Sequence, residues 1–456
     1  DDCSSRGLGD VYKRQLDFLA EMYFLRSLSI LLIMHGGMIG MAWTQSLQEG
    51  AHFGSLELSF PGVGELQLTA KRNSGTDMGN GNFSWAGSLV GETKGVISLA
   101  IVEDMISASL TMFGKGNYHY RGSKNEFVWK ADDPVHHSCA GCRTDGSRLP
   151  ADPRGRAQPM LSWRNGDADL VDLLVAYPSV VRIDAGGIDS IQAEIARSVN
   201  DANLCFANSD VQVQLRLVHM EEVSYSPTGL LDTDLNRLEG SEDGFMDDLH
   251  ALRDIHGADL VALLVGESDA GGLASIMTHP SLGFESSGFS VNVWTQIGAP
   301  SYTLAHEIGH NMGCTHNRED ASGIDGDWTF GAFNYGKRWM KDGIGYKTVM
   351  SYDTSPSSTY PFTVPHFSNP EVEYEGTKTG NSGLEDNALV LRSTAPYVSN
   401  FRASVVQGIL PGGFHFELEE GNSTSFGVRL TAPVESPVVV NLQLTGDEDF
   451  LLGSSA

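Results

Sequence analysis

The stretch HEIGHNMGCTH, residues 306–316, decides how the rest of the chain is read. His306 and His310 are four apart, so on a helix they stand one turn above each other and turn two imidazoles toward one point. Glu307 is offset around the helix, able to reach a water at that point without ligating. Gly313 lets the backbone leave the helix through a conformation other residues avoid, and three residues later the returning chain can bring His316 to the same place. Three neutral imidazoles with one position left open make the catalytic type of zinc site, whereas a structural site closes all four positions. A lone histidine is more often solvated or hydrogen-bonded than ligating, and a bare HExxH is modest evidence. The eleven-residue form is far more restrictive.

Outward from this motif the segments alternate between strand and helix. DLVDLLVAY reads as a buried strand, and SIQAEIARSVNDANLCFANS as a helix with Ile191, Ile195, Val199 and Leu204 near one face. VQVQLRLVHM is a second strand, GFMDDLHALRDIHG a helix ending at Gly257, and ADLVALLVG a third strand. After a loop rich in Gly and Ser, SVNVWT is a short fourth strand leading into the histidine helix. The expected fold is α/β, with a mixed, mostly parallel twisted sheet and an antiparallel edge strand.

On either side the helical signal is lost. Residues 45 to about 135 alternate at period two in runs such as SLELSF, GELQLTA, GVISLAIVE and ISASLTMFG, which predicts hairpin-linked strands. The run HHSCAGCRTDGSRLPADPRGRAQPM that follows has no period and carries Arg148, Arg154 and Arg156, the composition of an exposed, cuttable linker. Beyond Arg402 the alternation resumes between Pro and Gly turns and suggests the first strands of a β-sandwich, truncated at Ala456. The expected organisation is a non-native leader over 1–21, a signal peptide over 22–42, a β-rich propeptide and linker over 43–156, a catalytic domain over 157–404 and a truncated β-sandwich over 405–456. The signal rests on Arg26, the apolar run SLSILLIMHGGMIGMA, and Gly40 and Ala42 at positions a signal peptidase reads. That run falls short of the ~20 apolar residues of a membrane span, so the expectation is secretion without stable membrane insertion.

Charge narrows the partners. The 456 residues carry 58 Asp and Glu against 30 Lys and Arg, net −28, which repels phosphate backbones and argues against nucleic acid. With Cys3 set aside in the leader, the other four cysteines, Cys139, Cys142, Cys205 and Cys314, form an even set in a disulfide-permissive compartment. Their pairing is left open.

HEIGHNMGCTH followed by Thr348-Val349-Met350-Ser351-Tyr352 resembles the metzincin metallopeptidases, whose signature is the long zinc motif plus a methionine turn. Within them, GADLVALLVG, PHFSNP at 365–370 and EDNALVLRSTAPYVSNFR make the stretch from about Asp167 to Arg402 similar to the reprolysin-like branch and the bacterial peptidyl-Asp metalloendopeptidase group. The resemblance implies a zinc endopeptidase in which His306, His310 and His316 hold Zn2+, Glu307 is the general base and Met350 a packing floor beneath the imidazoles. Tyr352 either contacts zinc or the tetrahedral oxyanion, or packs in the cleft wall. One departure is Asn317, where reprolysin-like members usually have Asp.

The partners so implied are protein or peptide substrates, with the chain's own propeptide as inhibitor. A propeptide thiolate from Cys139 could block zinc, although a disulfide in the linker is the simpler reading; His136 and His137 beside it could make a second metal site. Cleavage before Asp would need a cation, with Lys337, Arg338, Lys341 and Lys347 as candidates. An apolar pocket with Tyr360 and Phe362 is the competing picture, and the net charge favours it. Two other functions stay in view: a non-catalytic adhesion protein on a protease scaffold, and a zinc hydrolase of non-peptide substrates.

Overall fold

The computed structural model describes residues 66–79, 81–124, 129–132, 168–320, 329–352 and 361–403, with the backbone of short strands at 31–32, 55–60, 409–411 and 428–430. The linker cysteines and histidines, Tyr360, and nearly all of the expected leader, signal and carboxy-terminal sandwich lie outside these residues. Among the described residues no helix is long and apolar enough to cross a membrane.

The amino-terminal strands form an antiparallel meander: β1 (Ser55–Phe60), β2 (Leu66–Gly79), β3 (Asn82–Val90), β4 (Gly95–Val102), β5 (Met105–Met112), β6 (Gly116–Ser123) and β7 (Lys130–Ala131), each paired with the next. Period-two alternation sorts its side chains. Phe83, Trp85, Ile97, Leu99, Ile101, Ile106 and Leu110 pack together as a core belonging to the meander alone. The opposite face carries Ser84, Ser98, Ser107, Ser109 and Thr111, all buried.

The second layer system is a five-stranded sheet. Its members are β8 (Asp169–Pro178), β9 (Val213–Val223), β10 (Leu260–Val265), β11 (Gly272–Ala274) and β12 (Phe289–Val293), in the order β9-β8-β10-β12-β11. The first four run parallel and β11 is antiparallel to β12. The antiparallel edge strand is the three-residue β11, inside the stretch read as a loop, while the strand read from SVNVWT pairs in parallel with β10. Parallel strands need crossovers. These are supplied by α1 (Ser179–Ala185) with α2 (Ile188–Asn208), and by α3 (Leu231–Glu239) with α4 (Asp248–His256). Gly257 closes α4 in the left-handed conformation at φ 62°.

Helix α2 is buried on two sides. Ile191, Ile195, Val199 and Phe206 enter the core under the sheet, while Glu194, Arg197 and Asp201 are also buried, facing the meander. Beyond the sheet come α5 (Thr303–Asn311), β13 (Thr315–Asn317) paired with β14 (Tyr335–Gly336), the trio β15 (Arg338–Lys341), β16 (Ile344–Lys347) and β17 (Phe362–Thr363), and α6 (Asn387–Val398). Asp386 caps α6 by accepting from the Leu389 amide at 3.0 Å.

Candidate metal centre

Helix α5 lies beside the short edge of the sheet, tied there by Asn311, whose amide donates to the carbonyls of Ser275 at 2.9 Å and Phe289 at 3.2 Å. The helix ends as the motif requires: Gly313 adopts φ 94°, and a Cβ there would stand 3.0 Å from the Met277 carbonyl oxygen. The chain then turns into β13 and delivers His316.

The three imidazoles meet at their Nε2 atoms. His310 Nε2 lies 3.1 Å from His306 Nε2 and 3.0 Å from His316 Nε2. His306 Nδ1 faces the Val349 carbonyl at 2.9 Å and His310 Nδ1 the Cys314 carbonyl at 2.8 Å. With Nδ1–H donating to a carbonyl, each of these rings turns an Nε2 lone pair inward. Neutral lone pairs that close repel one another unless a cation lies among them, and their spacing approaches the ~3.3 Å edge of a tetrahedron with Zn–N bonds of about 2.0–2.1 Å. Burial lowers the basicity of His310 to about 4 and, with the neighbouring His310 ring, takes His306 and His316 well below the ordinary histidine range. All three are therefore neutral, as metal ligands must be.

Glu307 is fully buried beside them and lines the same open cleft as His306, Gln296, Ser301, Lys347 and Tyr352. Its approach depends on a residue that the sequence did not single out: a Cβ on Gly272 of β11 would stand 2.5 Å from Glu307 Oε1. Met350 is fully buried under α5, and Gly309 makes room for it, since a Cβ at 309 would lie 2.5 Å from Met350 Sδ. Gly336 does the same on the other side of the turn, 2.6 Å from Ser351 Oγ. The positions of these glycines in the sequence give no hint of which remote side chain each one admits.

Tyr352 packs against His316 with ring centroids 3.9 Å apart and the ring planes tilted by 33°. Its backbone amide donates to Asn317 Oδ1 at 2.9 Å, and the Asn317 side-chain nitrogen donates to Glu319 and Asp320, each at 2.8 Å. The Asn that departs from the usual Asp thus joins the methionine turn to the strand carrying His316, a job that uses its amide as both donor and acceptor.

Of the four candidate cations, Lys347 alone lines the cleft, with Nζ donating to the Ser351 carbonyl at 3.0 Å. Lys337 is spent on the carbonyls of Lys378 and Gly380, Arg338 pairs with Glu319 and Asp320, and Lys341 sits on β15. Phe362 is not among the described residues that line this cleft; it packs edge-on against Phe113 of the meander at 5.7 Å, and Tyr360, its expected neighbour in an apolar pocket, lies outside the described residues. Cys205 and Cys314 are buried free thiols in the same core, without a disulfide between them.

An open position next to a buried carboxylate, over three neutral imidazoles, is the arrangement of a metal-dependent hydrolase. Comparison with known proteins narrows that class: residues 168–382 match the family described as Metallo-peptidase family M12B, Reprolysin-like. Curated relatives agree. The chain is 29% identical over 313 residues to a peptidyl-Asp metalloendopeptidase of Stenotrophomonas maltophilia, covering 66% of this chain and 69% of that protein. A peptidyl-Asp metalloendopeptidase of Xanthomonas campestris pv. campestris is 29% identical over 248 residues, with 54% and 55% covered. A second Stenotrophomonas maltophilia protein of that name is 30% identical over 292 residues, with 63% and 64% covered. The chain thus spans between about half and two thirds of the length of these relatives.

Proposed function

We propose that the protein is a secreted zinc endopeptidase, made with its β-rich amino-terminal segment as a latency domain, in which His306, His310 and His316 hold Zn2+ and Glu307 is the general base. The observation that carries this is the approach of His306 and His316 Nε2 to His310 Nε2, at 3.1 and 3.0 Å, beside the buried carboxylate. Zinc bound there supplies Lewis acidity, which polarises a carbonyl and lowers the pKa of water toward ~7. Glu307, held in the cleft by its close fit to Gly272, accepts the proton of the attacking water and passes it to the departing amine nitrogen. Val349 and Cys314 keep two of the rings in one tautomer through their carbonyls. Met350 forms the floor that stops α5 from settling, and Tyr352 orients substrate from the His316 side of the cleft.

For specificity we propose cleavage on the amino side of Asp. The relatives' names point that way, and Lys347 supports it as the cation in the cleft that a substrate carboxylate would meet. Incubating the full chain with a denatured protein and mapping the cuts by mass spectrometry tests both levels. Cutting abolished by chelator and restored by zinc is the expected result, with a majority of cuts immediately before Asp. Cutting indifferent to chelator would remove the zinc assignment, and cuts before bulky apolar residues would remove the specificity.

A further inference from the structure

The outer face of α2 is polar yet buried, because the meander lies on it. Glu194 accepts from Ser107 Oγ at 2.5 Å and from Arg121 Nε at 2.9 Å, and pairs with Arg197. Arg197 also donates to Ser107 at 2.8 Å, to Asp201 at 2.9 Å and to the Ala299 carbonyl at 3.2 Å. Ser98 donates to Asp201 at 3.2 Å and Ser74 to Asn200 at 3.0 Å. Burial would push the Glu194 carboxyl up, but Arg121 and Arg197 reverse this and hold it at about 2.

Domains of one chain keep separate cores and meet across contacts more polar than a permanent subunit interface. Here the meander keeps its own core, Phe83 to Leu110, and offers α2 hydroxyls, the charge of Arg121 and a small apolar contact. Leu204 of α2 joins a satellite cluster with Ala86, Val96 and Phe113 of the meander, where Phe113 is set among Tyr346, Phe362 and Tyr374, and Lys94 pairs with Glu375 at the exposed margin. An interface of this polarity resembles those between separable proteins. Its helix side, with Glu194, Arg197 and Asp201, is of a kind that water can cover when the meander leaves. No described meander residue lines the metal cleft. Arg121 instead reaches the wall segment ahead of α5, donating to the Thr295 carbonyl at 3.0 Å and stacking over the Trp294 ring at 5.2 Å; Gln296 and Ser301 of that segment line the cleft.

We propose that α2 is a docking surface for the meander as a separable subunit: once the chain between 132 and 168 is cut, the meander stays bound through the Glu194–Arg197–Asp201 cluster, with Arg121 as its anchoring charge. Release is then a second event, distinct from cleavage, and it frees the 294–301 wall. This builds on the proposed two-part organisation of the chain and not on the metal chemistry.

The test uses the full chain with a site-specific protease sequence inserted after Arg156, cut and then passed over a size-exclusion column at micromolar concentration. Both fragments of the wild type are expected in one peak. Arg121→Met removes the charge from the meander face while leaving its core intact, and should weaken retention at least ~30-fold, the lower end of what losing one partner of a buried charge pair costs. Phe113→Ala is a second probe in case the first variant is obtained in poor yield, and is expected to weaken retention as well. Fragments of the wild type that separate at once on cutting, or Arg121→Met and Phe113→Ala chains that both hold the meander as the wild type does, would overturn the proposal. Neither readout needs peptidase activity.

Discussion

Replacing Gly309 by Ala should loosen the metal centre without touching a ligand. The new Cβ would stand 2.5 Å from Met350 Sδ, 3.3 Å from Met350 Cε and 3.2 Å from Phe367 Cε1. Ordinary carbon contacts fall near 3.5–4.0 Å, so the overlap with sulfur is about 1 Å. Met350 and Phe367 are both fully buried, so neither can swing into solvent. Overpacking of this kind costs about 1–3 kcal/mol, against which alanine regains about 1 kcal/mol of helix propensity over glycine. The net expectation is destabilisation of up to about 2 kcal/mol. The displaced turn also carries Val349, whose carbonyl holds His306 at 2.9 Å, so zinc affinity should fall with stability. A double-mutant cycle with Met350→Ala isolates the cause. Met350→Ala alone opens a cavity and should cost about 2–5 kcal/mol; in the double variant the Cβ at 309 enters that cavity, so the total should be smaller than the sum by at least about 1 kcal/mol. Denaturant melts and a chelator competition, run on all four proteins, give the two readouts. Additive energies, or a Gly309→Ala chain with unchanged zinc affinity, would refute the account of Gly309 as the clearance for the floor.

Glu307→Gln should keep its fold and zinc but lose about 10²–10⁴-fold or more in turnover on a peptide substrate, whereas His316→Ala should lose the metal itself, read by metal analysis of the purified chain. Lys347→Met should shift the mapped cuts away from Asp and raise KM for a peptide with Asp after the scissile bond by at least ~10-fold, in line with loss of a charge-assisted contact; an unaltered cut map would exonerate Lys347. The uncut chain should turn over peptide more slowly than the chain cut near Arg156 and freed of the meander. Cys139→Ser separates two causes of that latency, because spontaneous activation points to a thiolate on the metal and unchanged latency to the meander.

What was legible in the sequence followed from local spacing. The intervals between His306, His310, Gly313 and His316 describe a helix, a turn and a return, and Gly313 adopts the positive φ such a turn asks for. The central strands β8 and β10 were readable as apolar runs, because strands covered on both faces need no polar alternation, and the edge strand β9 as an alternating one. Strand β11 was not: three residues, Gly272–Ala274, beside more glycine look like loop, and only their pairing with Ser290–Asn292 makes them a strand. Helix α3, LDTDLNRLE, is short and mostly polar, so its period is weak. The charged face of α2 is a different case. The burial of Glu194, Arg197 and Asp201 is decided by Ser98, Ser107 and Arg121 roughly a hundred residues upstream, and Leu204, expected on the face of Ile191, Ile195 and Val199, packs instead on the meander side. The clearances at Gly272, Gly309 and Gly336 are equally non-local.

Cys205 and Cys314 bear on how this domain ages. Burial pushes both thiols well above their usual range, so in the folded protein they are protonated and shielded, poor targets for oxidants. Unfolding reverses this at once: two reactive sulfurs appear on a chain in which they are 109 positions apart, one of them two residues before His316. In an oxidising medium a wrong cross-link, formed faster than the chain refolds, would fasten the third histidine away from the other two. Loss of structure then becomes a one-way event, and the working life of the domain is governed by how seldom it opens and only weakly by how far equilibrium favours the closed form.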